Sequence, residues 1–246
     1  MPAPWDTSFE DFFNEPDREF PNLVEWLMSL DAAEEHNLDD FGVRMTPNPW
    51  TRDQRRRLAV CMASLLARSP GTRHLIRCTT EYYRDRMGLA DPTASKMLIA
   101  ANQSGLFDFY AQIMEKRGRF LILFTDHREL IFGDGVFHNF PTIISSYASD
   151  LKAICHILPT VAVAYTCPIS YALDASLPAM RLANEEVALL NESVLVYSKD
   201  FVFYRSQRPP IPDAFLRAEH LQFAFHQQPW IDRLLYDVAQ YRSRTV

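Results

Sequence analysis

Glycine is scarce in this chain, seven among 246 residues, and no Gly-rich phosphate loop of Walker or Rossmann type occurs. Folds that rest a diphosphate on such a loop are therefore set aside. Cysteine is sparse as well. Cys61, Cys78, Cys155 and Cys167 are widely spaced and none forms a C-x-x-C pair, two falling in helical and two in strand patterns. They read as reduced core thiols, which points to a reducing cytosol. No apolar run approaches the roughly 20 residues that span a bilayer. The first thirty residues carry acids where a secretory signal would have a basic n-region and an apolar core. A cytoplasmic protein with no membrane partner is the expectation.

Aromatic residues and separated charges are what the chain has instead. Seventeen phenylalanines favour a rigid, aromatic-rich core over glycine-loop chemistry, and 23% charged residues excludes wholesale disorder. The net charge of −6 conceals a split: residues 1–43 hold twelve acids against Arg18, whereas residues 52–86 hold nine arginines against Asp53, Glu81 and Asp85. Such blocks can pack on each other, or the basic one can meet a nucleic-acid backbone through Arg55, Arg56 and Arg57. An isoelectric point near 5.6 argues against a dedicated DNA-binding protein.

Periodicity predicts two short helices at 8–15 and 21–30, the second marked by Leu23, Trp26, Leu27 and Leu30. "MTPNPW" (45–50) reads as a proline-punctuated linker. Thr51 and Gln54 form a capping box for a helix to about residue 67. Further helices are expected at about 72–86 and 92–116. From Arg119 the period changes to strands at 119–124, 129–132, 153–158 and 160–165, with a bend at Pro159. A helix capped by Asn184 (185–197), a strand at 201–205 and helices at about 213–226 and 230–242 complete the chain. The expected class is α+β: a mainly helical N-terminal part, a small mixed sheet with one inserted helix, and C-terminal helices. The expected division is an acidic helical segment, 1–50, and an α+β domain, 51–246.

Four stretches together resemble the domain-of-unknown-function family 4238. They are "LAVCMASLLARSPGTRHLI" (58–76), "LILFTDHRELIFGDG" (121–135), "ILPTVAVAYTCPISYAL" (157–173) and "ANEEVALLNESVLVYSKDFVFY" (183–204). The resemblance covers roughly residues 55–205 and lacks a counterpart of that family's His-bearing opening. It implies a fold and no established reaction, and it matches Asp134 to a turn aspartate and Asn191 to a helix asparagine.

Candidate site residues cluster around "FTDHRELIFGDGVFHNF" (124–140). Asp134 stands between Gly133 and Gly135, where the backbone can bend and admit a ligand; the alternative is a hairpin, since Asp-Gly is a favoured two-residue turn. His138 could join it as a general base, and Asn191, within the apolar stripe of its helix, as an orienting amide. Asp126 and His127 read as solvent-facing residues at a strand end, and His156 as a satisfied sheet histidine. His127, Asp134 and His138 have no recognised ligand spacing, so neither a metal nor a cofactor is expected. Three readings follow. The preferred one is a binding or regulatory module, with a bacterial defence or toxin-like system as its context and a protein or nucleic-acid partner. The second is a hydrolase, of nuclease type, using Asp134, His138 and Asn191. The third is an interaction protein whose acidic segment masks or mimics a nucleic-acid surface.

Overall fold

The apolar run Arg119–Phe124 is buried along its whole length, as a strand is when both faces of its sheet are covered by helices. In the computed structural model, residues 13–34, 40–88, 92–140, 150–211 and 229–243 are described, with backbone alone at 75 and 92–98. In chain order the elements are α1 (Asn14–Met28), α2 (Phe41–Arg44), β1 (Thr46–Asn48), α3 (Arg52–Arg68), α4 (Pro70–Met87), α5 (Pro92–Lys116) and β2 (Arg119–Phe124). They continue with β3 (Phe132–Gly133), β4 (Phe137–His138), β5 (Leu151–Leu158), β6 (Val161–Cys167), β7 (Leu177–Arg181), α6 (Asn184–Tyr197), β8 (Val202–Phe203) and α7 (Pro229–Gln240). This is an α+β fold.

Six strands form one mixed sheet in the order β1-β7-β2-β6-β5-β4, and β3 and β8 form a separate two-stranded ribbon. Only the β2–β7 pair is parallel. Alternation along the strands splits the core in two. Phe120, Ile122, Val163, Tyr165, Ala153 and Cys155 face Leu27, Leu58, Met62, Leu66 and Tyr110 from α1, α3 and α5. Leu121, Leu123, Ala162, Ala164 and Ile154 face Phe41, Val187, Leu190, Ile231, Leu235 and Val238 from α2, α6 and α7. Burying each large apolar side chain contributes about 1.5–3 kcal/mol, so a centre with apolar side chains on both faces is the stable part of the molecule.

Local signals explain the starts of α3, α4 and α6. Thr51 and Gln54 make the expected capping box. Ser69 caps α4 with Pro70 in its first turn, where a missing N–H is tolerated. At α6 the N-cap is Ala183 rather than the expected Asn184; the Glu186 carboxylate accepts from the Ala183 N–H at 2.8 Å.

Several expectations are corrected. Residues 14–28 form one helix that runs through Pro21, held by Leu23 and Leu27 in the core; residues 8–12 lie outside the described residues, as does the helix expected at 213–226. The "linker" contains β1, an edge strand on β7, an allowed place for Pro47 because an edge needs no ladder N–H. A short Pro159–Thr160 connection joins β5 to β6, and of the strand expected at 129–132 only Phe132 enters a ladder. Strands β4 and β7 were not anticipated. A boundary at residue 50 coincides with no break in packing: α1 shares the α3 core and β1 closes the sheet. Cys61, Cys155 and Cys167 are buried free thiols as expected, but Cys78 is exposed.

Candidate functional site

The two glycines around Asp134 are required by close packing. A β-carbon at Gly133 would lie 1.7 Å from Ser198 Oγ, and one at Gly135 would lie 1.9 Å from the Tyr197 carbonyl oxygen. Neither glycine has positive φ, so space and not conformation selects them. Asp134 itself accepts from the backbone N–H groups of Lys199 (2.7 Å) and Asp200 (2.9 Å), and its own N–H donates to Phe201 O at 3.1 Å. Its carboxylate thus ties the turn after α6 to the ribbon. The hairpin alternative is also corrected, because β3 pairs with β8 and β4 with β5.

Asn191 is buried and uses both ends of its amide. Its Oδ1 accepts from Ile131 N and its Nδ2 donates to Glu129 O, each at 3.0 Å. From the other side His156 Nδ1–H donates to Ile131 O at 2.6 Å. The 129–131 segment, which lacks a strand partner, is held between these two side chains. Burial pushes the His156 pKa down to about 4, so the ring is neutral and the hydrogen bond to Ile131 fixes which nitrogen carries the proton.

His138 lies on the other side of the sheet. It pairs with Ala153, a residue of the α1/α3/α5 face, and its ring meets Phe140. Its Nε2 lies 3.4 Å from Thr72 Oγ1 and its Nδ1 is buried with no hydrogen-bond partner. Burial pushes its pKa down to about 4 as well. Asn191 belongs to α6, on the opposite face. The sheet therefore separates His138 from Asn191, and Asp134 is engaged with backbone N–H groups; the structure does not bring the three together.

The arginine triplet divides by role. Arg55 donates to the carbonyl oxygens of Met114, Glu115, Arg117 and Gly118 and lies over the rings of Trp50 and Phe120, each 5.4 Å away. It satisfies the C-terminal carbonyls of α5. Arg56 reaches Glu15 at 3.9 Å, Arg57 reaches Asp53 at 2.9 Å and Glu19 at 3.6 Å, and Arg68 pairs with Asp17. The acidic and basic blocks pack against each other along α1 and α3.

What does gather into a concavity is a different set. Residues 127–131 and 204–210, with Asn184 and Asn191, line a cleft of 490 Å³. Arg128, Arg205 and Arg208 line it, and Arg205 and Arg208 make no ion pair with any described residue. Its one carboxylate among the described residues, Glu129, accepts from both the N–H and the hydroxyl of Ser206. His127, expected as a bystander, is at its rim; Asp126 instead pairs with Arg181. A larger cleft of 730 Å³ along Pro47–Trp50 and Leu173–Ser176 has, among the described residues, Arg242 as its one cation, and its Asp174 is occupied by Ser176 and Ser243. The reading from sequence missed Arg128, Arg205 and Arg208. The available signal was "FVFYRSQR" (201–208), two arginines three apart directly after an aromatic strand.

Among the described residues no group of three or more His, Cys, Asp or Glu side chains is placed to hold a metal ion, and no helix is long and apolar enough to cross a membrane. Comparison with family models, with curated proteins and with solved structures found no match.

Proposed function

We infer that the protein is a binding module whose site is the cleft between residues 127–131 and 204–210, and that its ligand is anionic. One observation carries this: Arg128, Arg205 and Arg208 line one concavity in which, among the described residues, the only carboxylate is already engaged by Ser206. Guanidinium groups in such a cleft favour phosphate, sulfate or carboxylate, which they grip through paired N–H donors. The rigid floor supports it. Asn191 and His156 hold residues 129–131 from two sides, so little ordering is required when a ligand arrives. The hydrolase reading has less support, because the cleft lacks both Asp134 and His138. The masking reading, with Arg55–Arg57 as the masked surface, is weakened by the carbonyl partners of Arg55.

A heparin fragment, polyanionic and free of bases, tests the reading by titration calorimetry. Binding that weakens steeply with salt and falls at least tenfold in Arg205→Glu/Arg208→Glu is the expected result. Unchanged affinity in that double variant would move the anion site elsewhere.

A further inference from the structure

The ribbon beside the cleft carries an unusual outer face. Residues 201–204 read Phe-Val-Phe-Tyr, and alternation in an extended chain sends the first and third side chains to one side. Val202 faces inward, against the cluster of Ile131, Val194 and Leu195. Phe201 and Phe203 face outward, 60% and 56% exposed, with ring centroids 6.3 Å apart and planes only 23° from parallel. Tyr204, 48% exposed, continues into the cleft that it lines with Arg205 and Arg208. Exposed aromatic residues running directly into an arginine-lined groove meet the two requirements of a polymer that alternates flat apolar rings with phosphates.

We propose that this face binds single-stranded nucleic acid, bases stacking on Phe201 and Phe203 and phosphates lying along Arg128, Arg205 and Arg208. The assignment rests on the anion-binding reading of the cleft and deepens it. Stacking on an aromatic side chain needs no particular base, because every base has a π-face, so recognition by this platform is tolerant of sequence. The ribbon presents side chains outward from a short, two-pair ladder, too small an element to enter and read a duplex groove, whereas unstacked bases can reach exposed rings directly. Charge complementarity selects this occupant over an apolar protein segment, which would leave the arginines of the adjoining cleft without partners. Asp200, the acid nearest in sequence to the platform, pairs with Lys199 at 3.7 Å, and Glu129 is held by Ser206.

Fluorescence anisotropy on the full chain with two labelled probes tests the proposal: a ten-nucleotide oligothymidylate, and an abasic oligomer of the same phosphate spacing. The oligothymidylate is expected to bind more tightly than the abasic strand. Phe201→Ala and Phe203→Ala should each weaken its binding by about five- to a hundredfold while leaving the abasic strand unaffected. With three phosphates neutralised, the slope of log affinity against log salt should be near −2, and lose about 0.7 with each of Arg205→Gln and Arg208→Gln. Both rings are exposed, so unchanged unfolding midpoints in the phenylalanine variants are expected and confirm that folding is not what the anisotropy reads. Equal affinity for the two probes, or phenylalanine variants that bind normally, would overturn the nucleic-acid assignment and leave the anion site standing. Failure of heparin and both oligomers would overturn the anion site itself. Concentration-dependent self-association abolished by Phe203→Ala, with no oligomer bound, would overturn the proposal and give the face to a second copy of the chain.

Discussion

Arg44 and Glu186, 142 residues apart in sequence, meet in the core with both guanidinium Nη atoms donating to the two carboxylate oxygens at 2.7 Å. Arg44 is fully buried and Glu186 nearly so. Arg44 Nη2 also donates to Arg181 O at the end of β7, and Glu186 accepts from Ala183 N at the start of α6. The pair therefore clamps residue 44, in the N-terminal region, to the β7–α6 corner. A buried pair of this kind is poor evidence of net stabilisation, since its desolvation offsets its attraction, but removing one partner strands a charge. Glu186→Ala is expected to reduce the unfolding free energy by about 3–5 kcal/mol in urea titration. The apolar double variant Arg44→Met/Glu186→Leu is expected to lose less than Glu186→Ala alone. A larger loss in the double variant would mean that the hydrogen bonds to Arg181 and Ala183 matter more than the stranded charge.

Gly133 and Gly135 differ in what obstructs a β-carbon, and their alanine variants should separate accordingly. At Gly133 the nearest atom is the Ser198 hydroxyl, at Gly135 the Tyr197 main-chain carbonyl. Overpacking of this order costs about 1–3 kcal/mol. Gly133→Ala is expected to regain part of its loss when combined with Ser198→Gly. Gly135→Ala has no side chain to trim and is expected to lose more, with no rescue from Ser198→Gly. Denaturant midpoints for the four proteins decide the matter; equal recovery in both backgrounds would show that the whole turn shifts.

The start of α3 and the buried strand β2 were legible because local signals fix them: a capping box at Thr51 and Gln54, and an apolar run over Phe120–Phe124. The site was not legible, because its meaning lies in contacts of long range. Asp134 reads as a free turn carboxylate until Lys199 and Asp200 donate to it from 65 and 66 residues away. Asn191 was correctly placed in an apolar stripe needing hydrogen-bond partners, but the sequence does not say that those partners are Ile131 N and Glu129 O. His138 and Asn191 look equally available along the chain, and only the strand register puts a sheet between them. The β4, β7 and β8 pairings share this origin, since strands of two to five residues are stabilised by neighbours rather than by their own pattern.

Within the arginine triplet, rank by partner predicts rank by stability. Arg55→Ala removes the guanidinium donor from the carbonyl oxygens of Met114, Glu115 and Gly118 and from that of Arg117, which keeps the Tyr165 hydroxyl, a loss of about 1.5–3 kcal/mol for hydrogen bonds to a charged group. Arg56→Ala and Arg57→Ala break exposed pairs and should change stability by less than about 1 kcal/mol, less still in high salt. Deleting residues 1–43 should yield a protein without a cooperative transition, because it removes Leu23, Leu27 and Phe41 from both halves of the core. A folded deletion product that binds an oligonucleotide more tightly through Arg56 and Arg57 would instead restore the masking reading.

Two histidines set the acid limit of the fold: His156, which is buried, and His138, which is half-buried with its Nδ1 enclosed. His138 and His156 both have pKa values lowered by burial to about 4, against an ordinary value of 6.5. Between those values the unfolded chain binds protons that the folded chain refuses, so stability is complete above about pH 6.5 and is lost as pH falls toward 4. Each ring is expected to remove about 2–3 kcal/mol between pH 7 and pH 4.5. His138→Phe suits a ring among Phe140 and its neighbours, and His156→Gln keeps an N–H for Ile131 O. Carboxylates titrating in the same range affect wild type and variants alike, so the informative quantity is the difference between their urea midpoints at the two pH values. Each substitution should flatten the acid loss by its own share, and the double variant by the sum, because the sheet lies between the two rings and sites without shared partners add. A variant that loses stability in acid as steeply as the wild type would show that its histidine charges within the folded state.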